Sequence, residues 1–301
     1  MYSLVIHGGA ENMTKKQFRN LEKALGIDNL EKVYKRELRR AIRAGENILK
    51  EGGSARSAVI NAIETMENSL YFDAAKGSAS SKRGRFTMDA ALMDGKDKKY
   101  GACCQMSRIK NPIHLADHIL KGKQKAKFIG GKAQTTHWAK QFKLPIVDNL
   151  YFYSDFAALK EKYIGKSFHG TVGAVALDLY GNISAGTSTG GLYNTDYGRI
   201  GDTPLIGIST YADNDIGGIS TTGIGEEIIQ NTVAYDIIAK KKYIGMKLDY
   251  SIEDTVYNME KGTLGVIGID SETGQPYTSY NTDLMLRGSV VSGGKVKVHV
   301  W

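Results

Sequence analysis

Apolar positions along this chain follow a helical period through much of the first half and an alternating one through much of the second. The spacing of Leu30, Val33, Leu38, Ala41, Ile42 and Ile48 predicts an amphipathic helix over 29–51, stopped by Gly52-Gly53. Ser54 is placed to cap a second helix that runs through Glu67. Ahead of them, residues 2–7 read as a buried strand feeding the Gly8-Gly9 turn, and 85–93 and 100–108 as strands joined across Asp94-Gly95. Pro112 opens a helix towards Lys121, and another covers 135–142. From Thr171 the pattern turns to strands at 171–177, 183–187, 205–210 and 216–221. Helices over 225–243 and 252–261 follow, then strands at 264–269, 285–291 and 295–300. The 171–177 run is nearly all apolar, which predicts a strand covered on both faces. Such an order of elements suggests two packed sheets with helices outside, an α+β arrangement.

At 301 residues and 42% hydrophobic content, the chain can fill a sizeable core. Its 35 glycines come with only four prolines and gather at motif turns, so they do not form a linker. The two cysteines, Cys103 and Cys104, are adjacent, and in extended backbone they point to opposite faces, which disfavours a disulfide between them and fits a reduced compartment. No stretch approaches the length of a membrane span and no charged leader precedes Tyr2, so a soluble, cytoplasmic protein is expected. Part of the net charge of +8 lies along Lys32, Arg36, Arg39, Arg40 and Arg43 on one face of the 29–51 helix. Without an aromatic stacking platform or a nucleic-acid motif, that stripe reads as a solvated helix face, and no nucleic-acid or membrane partner is expected.

The candidate chemistry begins at Thr171, in the run His169-Gly170-Thr171-Val172-Gly173. Scission before Thr171 would leave a hydroxyl nucleophile with its own base, because an α-amine of reference pKa about 7.7–8.0 would sit beside it. The exposed polar stretch expected ahead of that bond is 160–170. Two threonine-glycine clusters follow, Thr187-Ser188-Thr189-Gly190-Gly191 and Thr221-Thr222-Gly223-Ile224-Gly225-Glu226, with Gly198-Arg199-Ile200-Gly201-Asp202 between them. Thr189 can hydrogen-bond Thr171 from a neighbouring strand, and Thr222 with the Gly223 N–H can face developing negative charge. Arg199 offers a planar fork for a carboxylate, and Asp202 an acceptor for an ammonium, which together describe a zwitterionic amino-acid head. His7 and His169 are expected to be structural, since a self-sufficient threonine needs no imidazole.

In these motifs, and in Val5-Ile6-His7-Gly8-Gly9-Ala10, Met88-Asp89-Ala90, Met93-Asp94-Gly95, Lys110-Asn111-Pro112, Tyr280-Asn281-Thr282 and Arg287-Gly288, the sequence resembles the plant-type L-asparaginase and isoaspartyl peptidase family of N-terminal-nucleophile hydrolases. The resemblance implies a four-layer αββα sandwich, one domain over 1–301, self-cleaved between Gly170 and Thr171 into subunits of 1–170 and 171–301. It implies hydrolysis of β-aspartyl dipeptides and L-asparagine through a β-aspartyl ester on Thr171, no cofactor for the chemistry, and a homodimer of cleaved units. It also implies that a sodium ion is wrapped by main-chain carbonyls of Met66, Glu67, Ser69, Phe72, Ala74 and Lys76. Asp73 stands where the family usually has asparagine, and a carboxylate there is expected to favour the protonated amine of Thr171. Tyr197 replaces a familiar proline, and the segment before Thr171 is shorter than in relatives. A glycosylasparaginase fits less well, since that branch is secreted and carries aspartate where this chain has Gly170. A non-catalytic protein that holds an amino-acid head through Arg199 and Asp202 is the alternative from another class, and the Gly-rich turns complete no phosphate-binding pattern.

Overall fold

The computed structural model describes residues 1–164 and 170–301. Twelve strands among these residues form two sheets, one of eight and one of four. The larger sheet holds β1 (Ser3–Glu11), β2 (Met88–Asp94), β3 (Tyr100–Met106), β4 (Phe128–Gly130), β5 (Val172–Leu177) and β6 (Ile183–Thr189), with β11 (Leu284–Val291) and β12 (Lys297–His299). Its strand order is β12-β11-β1-β5-β6-β2-β3-β4. The smaller sheet runs β10-β9-β8-β7, from β7 (Thr210–Asp213), β8 (Gly217–Gly223), β9 (Leu264–Asp270) and β10 (Pro276–Tyr280).

Alternation of side chains along each strand sorts them into three apolar clusters. Leu4 and Ile6 of β1, with Val172, Ala174 and Ala176 of β5, pack with α2 (Leu30–Lys50) and α3 (Ala55–Glu67). Val5, Val175 and Leu177 point the other way and meet Ile267 and Ile269 of the smaller sheet. On that sheet's opposite face, Leu264 and Val266 pack with Ile237 and Ile252 from the helices after β8. The central strand β5 is buried along its whole length, as its sequence predicts, and each buried Val or Leu there contributes about 1.5–3 kcal/mol relative to exposure. The two cysteines are free and buried.

Several boundaries differ from the sequence expectation. Two helices escape it, α1 (Lys15–Leu25) and α6 (Asp155–Ile164), although Thr14 and Gln17 form a capping box at the first and Ser54-like capping by Ser154 reaches the Ala157 N–H at the second. Strands β4 and β10 are likewise additional. The 205–210 segment is a loop, because Leu205 and Ser209 close turns on Asp202 and Leu205, and its strand begins only at Thr210. The 225–243 helix is divided into α7 (Gly225–Gln230) and α8 (Val233–Ala239) by Thr232 in left-handed backbone, φ 50°. Amides of Ala234 and Tyr235, which would lack partners at a new helix start, bond the carbonyls of Ile208 and Gly207. The last helix, α9, spans Leu248–Asn258 rather than 252–261.

The exposed stretch expected at 160–170 is also corrected at its ends. Lys160 is 2% exposed and pairs with buried Glu11 at 2.5 Å, and Gly170 is buried; residues 165–169, including His169, lie outside the described residues. The basic face of α2 lines a shallow surface groove, where Arg36 and Arg40 both reach the Glu37 carboxylate. Among the described residues no helix is long and apolar enough to cross a membrane.

Candidate active site

Thr171 enters β5 between β1 and β6, its side chain almost wholly buried. The register that pairs Gly173 with Thr187 and Val172 with Ser188 brings the ends of β5 and β6 together, so Thr189 lies beside Thr171. The Thr171 hydroxyl donates to Thr189 Oγ1 at 3.2 Å, and Thr189 donates its own proton to the Gly170 carbonyl oxygen at 3.0 Å. The Gly191 N–H donates to Thr189 Oγ1 at 3.0 Å, which leaves that hydroxyl one direction for its proton. The Thr171 hydroxyl, the Thr189 hydroxyl and the Gly170 carbonyl thus form one hydrogen-bonded chain.

A second layer supports it. His7 donates from Nδ1 to the Thr171 carbonyl oxygen at 2.9 Å and accepts at Nε2 from Ser220 Oγ at 3.0 Å, the tautomer that satisfies both partners. Burial pushes the His7 pKa down to about 3, so the ring is a neutral strut, in keeping with a structural role. Ser220 also meets Thr187 Oγ1 at 2.7 Å, and Thr187 meets Thr210 Oγ1 at 2.5 Å. Thr187 lay in a cluster read from sequence but was given no role, and Ser220 and Thr210 were missed; a signal for Ser220 was present, since it shares a face with Thr222 at the two-residue period of a strand.

Thr222 stands at the end of β8 and accepts the Ala10 N–H at 3.3 Å. Ala10 follows Gly9, whose backbone adjoins the nucleophile so closely that a Cβ there would sit 3.3 Å from the Gly170 Cα and 3.6 Å from the Thr171 nitrogen. Thr222 is therefore near Thr171 through β1, although no hydrogen bond joins the two among the described residues. Gly223 has φ +149°, and a Cβ there would lie 2.0 Å from the Thr263 carbonyl oxygen, so only glycine lets the chain turn here into α7.

Arg199 and Asp202 come together at the start of α7. A Cβ on Gly225 would lie 2.8 Å from Arg199 Nη2 and 2.8 Å from Asp202 Oδ1, so glycine is what admits both side chains. Asp202 is 6% exposed, and its Oδ2 has no hydrogen-bond partner among the described residues. Burial raises its pKa to about 6, and the Arg199 charge works against that rise. The Arg199 fork is engaged: Nε donates to Glu226 Oε1 at 2.7 Å and Nη2 to Oε2 at 3.0 Å. Glu226 belongs to a motif read from sequence, but its hold on Arg199 did not follow from the spacing. Asp89, paired with Thr189 across β2 and β6, also feels Arg199, and burial raises its pKa to about 6.

Asp73 sits beside the bond before Thr171. Its Oδ2 accepts the Gly170 N–H at 3.1 Å and its Oδ1 the Ala79 N–H at 2.8 Å, while its carbonyl accepts the Gly190 N–H. Burial pushes its carboxyl pKa up to about 8, against the pull of those two N–H donors. Desolvation thus outweighs two backbone hydrogen bonds in setting the proton affinity of this carboxyl in the intact chain. In the 66–77 loop, the Phe72 carbonyl oxygen lies 2.2 Å from where a Cβ on Gly77 would stand, and the Met66 carbonyl accepts the Ser69 N–H. The Glu67 side chain turns away from solvent to accept from the Ile113 N–H at 3.0 Å and from Ser188 Oγ at 2.7 Å. Among the described residues no group of three or more His, Cys, Asp and Glu side chains gathers as a metal site.

A family profile described as Asparaginase matches residues 1–300. A plant-type L-asparaginase from Pyrobaculum calidifontis is 34% identical over 96% of this chain and 96% of its own. An isoaspartyl peptidase from Escherichia coli is 34% identical over 94% of this chain and 91% of its own. An isoaspartyl peptidase/L-asparaginase from Danio rerio is 37% identical over 77% of this chain and 73% of its own. Since the profile covers the threonine clusters and both sheets alike, the chain belongs to the asparaginase family of hydrolases.

Proposed function

We propose that this protein is a self-processed threonine hydrolase that cleaves β-aspartyl dipeptides and the side-chain amide of L-asparagine. The observation that carries the reading is the chain of hydrogen bonds from Thr171 Oγ1 through Thr189 to the Gly170 carbonyl. In the precursor, Thr171 Oγ1 attacks the Gly170 carbonyl carbon while the Thr189 proton bonds the oxygen that gains charge. The acyl group passes from nitrogen to oxygen, and water then splits the ester. This leaves a carboxylate on Gly170 and a free amine on Thr171, separating 1–170 from 171–301.

The freed amine then takes the hydroxyl proton as Thr171 attacks the substrate's β-carbonyl. Thr222 and the Gly223 N–H serve the tetrahedral oxyanion, the leaving amine departs with a proton, and water resolves the β-aspartyl ester. Asp202 receives the substrate ammonium on Oδ2, which has no partner among the described residues, and Arg199 shares its fork between Glu226 and the substrate carboxylate. In this reading the three apolar clusters are the interfaces of a four-layer αββα sandwich over the single domain 1–301. The reading extends to a cytoplasmic homodimer of cleaved units, for which Tyr243, Ile244, Tyr250 and Tyr257 are exposed apolar side chains. Main-chain carbonyls of Met66, Glu67, Ser69, Phe72, Ala74 and Lys76 would hold sodium, a hard cation suited to oxygen donors, and so brace the loop that carries Asp73.

Mass spectrometry and denaturing electrophoresis of purified protein, with release of ammonia from asparagine and of aspartate from β-aspartyl dipeptides, test the reading. Fragments of 1–170 and 171–301 with both activities are expected, and Thr171→Ala should leave one intact chain and remove turnover by on the order of a thousandfold or more. A stable single chain that binds aspartate without turnover would point instead to the binding protein.

A further inference from the structure

Beside Arg199 opens a cleft of about 350 Å³ whose wall includes Arg85, Thr87, Gln105, Ser107, Lys132 and Tyr197. Its size suits a single amino-acid residue. Two links tie it to the site already described. The Thr87 carbonyl oxygen lies 3.9 Å from where a Cβ on Gly191 would stand, and Gly191 is the residue whose N–H holds Thr189. On the other side, Gln105 Nε2 donates to the Arg199 carbonyl oxygen at 2.5 Å. The cleft therefore borders both the hydroxyl relay and the arginine that faces the substrate head.

Its chemistry is cationic. Arg85 and Lys132 are exposed side chains that make no ion pair among the described residues, and no carboxylate is among the residues that line the cleft. Neighbouring cations differ: Lys82 is held by Asp196, and Arg83 lies on the Tyr197 ring with 4.7 Å between guanidinium and centroid. Ser107 is 8% exposed, lines the same cleft, and its Oγ has no partner among the described residues. Asn149 fixes this wall by donating to the Phe86 and Ser107 carbonyls, each at 2.9 Å. Two cations without an ion pair and a buried hydroxyl without a partner, in each case among the described residues, form a receptor for an anion.

We propose that this cleft is the leaving-group subsite, where Arg85 and Lys132 receive the carboxylate of the amino acid released from a β-aspartyl dipeptide and Ser107 Oγ donates to the same group. The proposal rests on the functional reading above and gives it a substrate class: β-aspartyl peptides that end in a free carboxylate next to the isoaspartyl bond. Asparagine releases ammonia, which reaches none of these residues, so the subsite separates the two substrates. An acidic leaving residue brings a second carboxylate and gains further from the second cation.

The test compares kcat/KM for L-asparagine, β-aspartyl-leucine and the C-terminal amide of β-aspartyl-leucine, in the processed wild type and in Arg85→Ala, Lys132→Ala and Arg85→Lys. The free dipeptide should lose roughly tenfold in Arg85→Ala, and a lesser amount in Lys132→Ala, because a charge-assisted contact is removed. Arg85→Lys should recover part of the loss. Asparagine and the amidated dipeptide should stay within about twofold of wild type in every variant, which also verifies folding. An equal loss on asparagine would overturn the subsite and give the cleft to the amino-acid head, and an unchanged free dipeptide would overturn it outright. Wild-type protein that turns over none of the three substrates overturns the functional reading, and the subsite with it.

Discussion

The surroundings of Thr171 and the corner formed by Arg199 and Asp202 solve opposite problems with neighbouring parts of one fold. Around the nucleophile, Thr171, Thr189, Thr187, Ser220, Thr210 and His7 all find partners inside the protein, and the groups are uncharged hydroxyls and a neutral imidazole. At the corner, charges dominate, one carboxylate oxygen of Asp202 is buried without a partner among the described residues, and the guanidinium of Arg199 is held by Glu226. A saturated network keeps its atoms in place before any ligand arrives, as the proposed self-cleavage requires. An acceptor left unsatisfied costs stability until a donor reaches it, so binding recovers what folding lost.

The largest effect that would sharpen this contrast is expected at Thr189. Thr189→Val keeps the shape but removes both the acceptor for Thr171 and the donor to Gly170, and losing one such donor typically costs about 2.7–4 kcal/mol of transition-state stabilisation. Self-cleavage followed by electrophoresis should slow by roughly a hundred- to a thousandfold. Cleavage at the wild-type rate would remove the relay from the mechanism.

At the corner, Asp202→Asn should leave self-cleavage intact while kcat/KM for asparagine falls by roughly a hundredfold, since a neutral amide replaces a buried carboxylate facing an ammonium. Ammonium binding needs the ionised acid, so with a pKa raised to about 6 the wild-type kcat/KM should fall as pH drops through about 6. Loss of cleavage together with turnover would show that the two regions are one network, contrary to the comparison.

A smaller change is expected from Asp73. Its pKa is raised to about 8 in the intact chain, whereas the unfolded chain loses that proton near 3.8, the ordinary value for aspartate. Between those values the folded state binds the extra proton, so Asp73 favours folding most below pH 4 and loses that contribution as pH rises towards 8. In the uncleavable Thr171→Ala background, Asp73→Asn should raise Tm by a few degrees at pH 8 relative to its effect at pH 5. Equal shifts at both pH values would mean that Asp73 does not retain its proton.

Much of this was legible in the residues themselves. Thr171 ahead of an apolar run, two later threonine-glycine clusters and the Arg199-Asp202 spacing led to the family and to the neighbours of the nucleophile, and Thr189 lies where the strand period put it. The misses have physical causes. The 225–243 pattern is continuous in hydrophobicity, but the carbonyls of Gly207 and Ile208 offer partners for a second helix start and split it at Thr232. A capping box at Thr14 was readable and α1 was nonetheless overlooked, so that error lay in the reading and not in the chain.

The sequence by itself determined that the strand after Thr171 would be buried on both faces and which hydroxyl could become an N-terminal nucleophile, because strand periodicity and residue chemistry are local. Tertiary structure decided the rest: Glu226 on the Arg199 fork, His7 between Thr171 and Ser220, the Asp73 carboxyl buried beside Gly170 with its pKa raised, and Arg85 and Lys132 lining one cleft. Partners such as His7 and Ser220 come from strands far apart in the chain, and a proton affinity depends on the water excluded around a group, which no spacing of letters records.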